Sequence, residues 1–149
     1  MQTKSKLRKL FITLTLMMTT FSIHVKANKR DDKGRTALHL AALSCDKKAI
    51  QKLIQSGAKI NLKDDSDRTP LHLAASACGE KVIRILLAAG AKVNDRMSYH
   101  QSPLHDAVTS NNVIAIKTLL LLGASIKTKL VSIRTTKFEL GDCKKMQNL

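Results

Sequence analysis

Apolar and polar positions along this chain recur with a fixed long period. Ile50, Leu53 and Ile54 return 33 residues later as Ile83, Leu86 and Leu87, and again as Ile116, Leu119 and Leu120. Within each set the spacing follows one face of an α-helix. A second echo precedes each set: Thr36-Ala37-Leu38-His39, Thr69-Pro70-Leu71-His72 and Ser102-Pro103-Leu104-His105. A third follows it: Gly57-Ala58-Lys59-Ile60-Asn61, Gly90-Ala91-Lys92-Val93-Asn94 and Gly123-Ala124-Ser125-Ile126. Each block therefore predicts two short helices and a turn. In the second block Thr69 can cap the first helix, and Pro70 suits a helix start, where its missing N–H costs nothing. Leu71, Leu73, Ala74 and Ala75 make that helix mostly apolar. Glu80 to Ala88 predicts the second helix, which Gly90 ends where a left-handed backbone is needed. Lys92 to Gln101 is then an extended turn.

The period of 33, the Thr-Pro-Leu-His signature and the Leu-Leu-x-x-Gly-Ala element together resemble the ankyrin-repeat family. The resemblance covers Asp31 to Lys129, as repeats 31–63, 64–96 and 97–129. It implies an all-α solenoid of stacked helix-turn-helix units with projecting β-turns, whose function is protein recognition. The turn glycine persists only at Gly34; Asp67 and His100 replace it, and both residue types tolerate a left-handed backbone. Residues 130–149 keep the frame weakly, and read either as a truncated, capping half-repeat or as a disordered tail.

Residues 1–27 read as a signal peptide. A basic stretch from Lys4 to Lys9 precedes an uncharged run from Leu10 to Ile23, too short to span a bilayer and the right length for a signal core. Val25 and Ala27 give a small-x-small cleavage pattern, which places the mature start at Asn28. The competing readings are an uncleaved membrane anchor or a buried helix of the domain.

Basic residues outnumber acidic ones 26 to 11, a net charge of +15. Losing Lys4, Lys6, Arg8, Lys9 and Lys26 with the signal leaves 21 against 11, or +10. That balance favours a partner with an acidic surface. Nucleic acid is disfavoured, because the cations are scattered and aromatic residues make up only 3% of the chain. Membrane contact is expected only through an uncleaved N-terminus.

Candidate chemistry is sparse. His39, His72 and His105 sit at equivalent positions, about one helix-packing distance of roughly 10 Å apart, too far to share a metal. By the family resemblance they bond backbone between adjacent repeats. His105 and Asp106 are neighbours on a helix and point apart, and no nucleophile is spaced to join them. No phosphate loop, metal cluster or cofactor motif is present, so no catalytic, metal or cofactor site is expected and the chain is read as a non-enzyme. Cys45 and Cys78 occupy equivalent places in successive repeats; one repeat of separation exceeds the roughly 7 Å that a disulfide tolerates, so no bridge is expected between them. Cys143 falls out of their frame, leaving an intermolecular bridge open.

The resemblance places partner-reading positions in the turns and at the ends of the first helices. Carried onto this chain they are Asp32, Lys33, Arg35, Leu43 and Ser44, then Asp65, Ser66, Arg68, Ser76 and Ala77, then Ser98, Tyr99, Gln101, Thr109 and Ser110. Tyr99, the only Tyr, stands at a turn tip, where an aromatic buries much on binding. The resulting expectation is a monomeric protein-binding module, secreted or periplasmic, that resembles small exported ankyrin proteins of bacteria, host-associated effectors among them. The alternative is a periplasmic scaffold, or a stabilising or inhibitory subunit of an envelope enzyme.

Overall fold

A computed structural model describes residue 9 and residues 27–125. The apolar run of residues 10–23, the tail of residues 130–149 and Cys143 lie outside them. Among the described residues 37–121, six helices alternate inner and outer: α1 (Ala37–Leu43), α2 (Lys47–Gln55), α3 (Pro70–Ala77), α4 (Glu80–Ala88), α5 (Pro103–Thr109) and α6 (Val113–Leu121). Inner helices α1, α3 and α5 pack in a row, and outer helices α2, α4 and α6 form a second row against them. The fold is the all-α stack expected, and among the described residues its β-pairing is limited to one isolated bridge between Arg30 and Thr36.

Local sequence explains each element. Thr36, Thr69 and Ser102 cap the inner helices from extended backbone, with Pro70 and Pro103 opening α3 and α5. Small buried residues (Ala42, Ala74, Ala75 and Ala107) let neighbouring inner helices approach closely. Outer helices start differently: the Asp46 carboxylate accepts the Lys48 and Ala49 amides, and Asn112 accepts that of Ala115. Gly57, Gly90 and Gly123 then stop them at φ of 78°, 94° and 92°, a backbone that costs side-chain-bearing residues 1–2 kcal/mol on the order of magnitude. The substituted turn positions Asp67 and His100 both take φ 59°, matching the left-handed Gly34 at 68°.

Polar ladders at the repeat period fasten the stack. Asn61 accepts the Lys92 amide at 3.0 Å and donates to the Gly90 carbonyl at 3.0 Å; Asn94 repeats this with Ser125 and Gly123. Asn28 accepts the Lys59 amide at 2.8 Å and so extends this ladder upstream, while Ala27 is buried in the core beside it. A second ladder runs from Arg30 to the Lys63 carbonyl and from Lys63 to the Arg96 carbonyl.

The cysteine expectation is corrected. Cys45 and Cys78 form a disulfide, with Cα atoms 5.5 Å apart across 33 residues of chain. Equivalent places in the repeat do not keep the two cysteines one repeat apart, because their backbones are not equivalent. Cys45 has a left-handed backbone at φ 57°, whereas Cys78 is extended at φ −108°, directly after the longer helix α3. The two loops bend towards each other instead of stacking one packing distance apart.

Candidate protein-binding face

The signature histidines set the geometry of the inner face. In His39 the Nδ1 atom accepts the Thr36 backbone N–H at 3.1 Å and its hydroxyl at 2.9 Å. That backbone donor fixes the neutral tautomer with hydrogen on Nε2, which donates to the Arg68 carbonyl of the next repeat at 3.0 Å. His72 does the same with Thr69 and the Gln101 carbonyl, and His105 repeats the Nδ1 contacts with Ser102. Burial holds all three imidazoles below their ordinary pKa. All three rings close a helix start, and His39 and His72 also carry the next turn, as the resemblance implied.

The turns are locked from within. The Asp31 carboxylate accepts the Lys33 and Arg35 amides and pairs with the Arg35 guanidinium at 2.7 Å. Chiefly through that guanidinium its pKa falls to about 2. Asp64 makes the equivalent contacts with Ser66 and Arg68. Burial pushes the Asp64 carboxyl up, but the Arg68 amide and guanidinium outweigh it and leave the pKa below its ordinary value. Arg35 and Arg68, both candidate contact residues, are thus committed to holding their own turns. In the third turn Met97 and Gln101 replace this Asp–Arg lock, and closure rests on backbone bonds from Met97 to Gln101 and from His100 to Met97. That less constrained turn presents Tyr99, which is 87% exposed. Ser98 bonds the Asp67 carboxylate and ties the third turn to the second.

Among the other candidates, Asp32, Lys33, Asp65, Ser66, Gln101, Leu43, Ser44, Ala77, Thr109 and Ser110 are exposed and Ser76 is half-buried. The turn residues gather along one edge and the helix-end residues along the adjoining inner face. Sequence reasoning passed over Leu40, which is 43% exposed beside Leu43. An apolar residue on the first helix reads as core, and only the stacking separates Leu40 from its buried counterpart Leu73. Asp106 holds the same position in the third repeat. Its Oδ2 is buried and has no hydrogen-bond partner among the described residues. Burial raises its pKa to about 6, against a weaker downward pull from Arg68. The face thus grades from aliphatic in the first repeat to a carboxyl in the third.

A two-row helical stack with a continuous inner face and projecting turns defines an extended recognition scaffold, built for contact over area. A family model described as ankyrin repeats (3 copies) matches residues 11–97 and 47–129, and the chain belongs to the ankyrin-repeat family. A search of curated proteins finds no relative. Ankyrin repeats are in general protein–protein interaction modules and typically non-enzymatic.

Proposed function

We propose that this chain is an exported binding protein that captures a partner protein through its turn tips and inner helical face. The observation that carries the reading is the exposure of Leu40 and Leu43 on the first inner helix and of Tyr99 at a turn tip, apolar area that burial against a partner would remove from water. Export is supported by the N-terminal pattern and by the Cys45–Cys78 bridge, a bond that persists in oxidising compartments. In the full chain, Tyr99→Ala and a Leu40→Ser/Leu43→Ser pair should each weaken partner capture at least tenfold while leaving the helical circular dichroism intact. Unchanged capture by both variants would sink the inner-face assignment. A periplasmic scaffold or subunit would instead co-purify with an envelope enzyme and stay behind when medium is harvested.

A second reading of the N-terminus is favoured by two observations. Ala27 is buried in the core, and the family match begins at residue 11. Under this reading the upstream segment belongs to the stack and is retained. Intact mass separates the cases: a chain starting at Asn28 outside the cytoplasm supports the signal, a full-length soluble chain supports the integral helix, and a full-length membrane-bound chain supports an anchor.

A further inference from the structure

The positive charge of the described stack is not spread evenly. The outer helices and the residues just after them (47–60, 80–93 and 113–125) hold eight basic side chains and one acidic one, Glu80. The rest of residues 28–125 holds seven basic and eight acidic. The turns and inner helices together are close to neutral, and the whole excess lies on the outer helices and the residues just after them. Lys48, Lys52, Lys81, Lys92 and Lys117 are all exposed there, and Glu80 is already paired with Arg84 at 2.6 Å.

The same face turns aliphatic at its third helix. Ile114 stands 33 residues after Lys81 and is 57% exposed; Leu121, about two helical turns further along α6, is 56% exposed, with Lys117 between them. Between α4 and α6 runs a shallow groove lined by Leu87, Ala88, Ala91, Val93 and Leu122, with Arg84 on its rim. Cations around exposed aliphatic side chains suit an anionic lipid surface, where charge attracts the helix row and the aliphatic groups enter the headgroup boundary. Nucleic acid fits less well. Tyr99 is the only aromatic among residues 27–125, and it sits on a turn tip away from this face.

We infer that the outer helical row docks on an anionic bilayer surface, leaving the inner face free for the protein partner. The two faces are independent, so failure of one assignment leaves the other standing. The test is co-sedimentation of the full chain with phosphatidylcholine vesicles, with and without about 30% phosphatidylglycerol, a fraction in the range that gives a strongly negative surface. Binding should be at least tenfold tighter on the anionic vesicles and should weaken with salt. Lys48→Glu/Lys81→Glu/Lys117→Glu should lose at least tenfold, and Ile114→Ser/Leu121→Ser severalfold. Because the N-terminal segment can also meet lipid, spin-labelled lipid supplies a second readout on the unmodified chain. The Ile114 and Leu121 methyl resonances should broaden while those of Leu40 and Leu43 stay sharp. Equal binding to both vesicles, full retention by the charge-reversed variant, or broadening confined to the inner face would overturn the inference. So would polyglutamate binding that the aliphatic variant keeps in full while vesicle binding is absent, an outcome that points to an acidic protein instead.

Discussion

His72 and Asp106 show how single residues set this protein's response to pH, and they pull in opposite directions. The His72 ring is buried, with Nδ1 facing a backbone N–H, so the folded state resists its protonation. Below about pH 6.5 the unfolded chain takes up protons that the fold refuses, and stability should fall as pH drops. His39 and His105 add to the same slope. Asp106 is the reverse case: between its ordinary 3.8 and about 6 the folded state keeps a proton that the unfolded chain has released. Its contribution is therefore full at low pH and lost as pH rises through that window. Replacing it with the residue of the two preceding repeats, Asp106→Leu, should raise stability at pH 7.5 by about 1 kcal/mol, since the unpartnered buried oxygen disappears. It should also steepen the rise in stability from pH 5 to 7, because only the histidines remain. Urea unfolding at pH 5.0, 6.0 and 7.5 reads both effects, and the absence of any gain would mean that Asp106 is satisfied. His72→Ala should cost about 2–3 kcal/mol, because it leaves a buried amide and carbonyl unpaired.

At the scale of elements the turns are the sensitive parts. Gly34 combines φ 68° with a close approach: a Cβ there would lie 2.1 Å from Asp65 Oδ1. Gly34→Ala should cost about 1–3 kcal/mol through strain and displacement of the second turn. His100 occupies the equivalent left-handed position at the edge of the stack, so His100→Gly should gain about 0.5–1 kcal/mol, visible as a raised melting temperature. A lowered one would show that the imidazole does work in the turn. These positions were readable from the repeat, because Gly34, Asp67 and His100 align at period 33 and residue type alone states the backbone each needs. Helix limits were readable too: capping residues and glycines bracket Glu80–Ala88 at both ends. Asn28 was also in view, matching Asn61 and Asn94 at period 33, but the repeat frame was begun at Asp31, three positions after it. Leu40 was beyond the pattern, since exposure along an inner helix depends on how its neighbours stack.

Over the whole molecule, the sequence discloses a charge of +15 but not its display, because sorting cations to the outer row takes the stack itself. The disulfide was hidden for a similar reason: its closure depends on opposite backbone conformations at Cys45 and Cys78, which no period reveals. In a linear array each repeat holds only its neighbours, so a covalent tie between the first and second reinforces one of the few interfaces the stack has. Reduction, or Cys45→Ser/Cys78→Ser, should lower stability by about 3–4 kcal/mol for a loop of this length. Unchanged urea midpoints with and without reductant would contradict it. The bridge also has a mechanical consequence. Stretched by its ends, the oxidised chain cannot pay out the 33-residue span between Cys45 and Cys78, which at about 3.5 Å per residue withholds roughly 110 Å of contour. Single-molecule extension in the presence of reductant should release that slack as one added step, so the length of the unravelled protein reports the redox state of its surroundings.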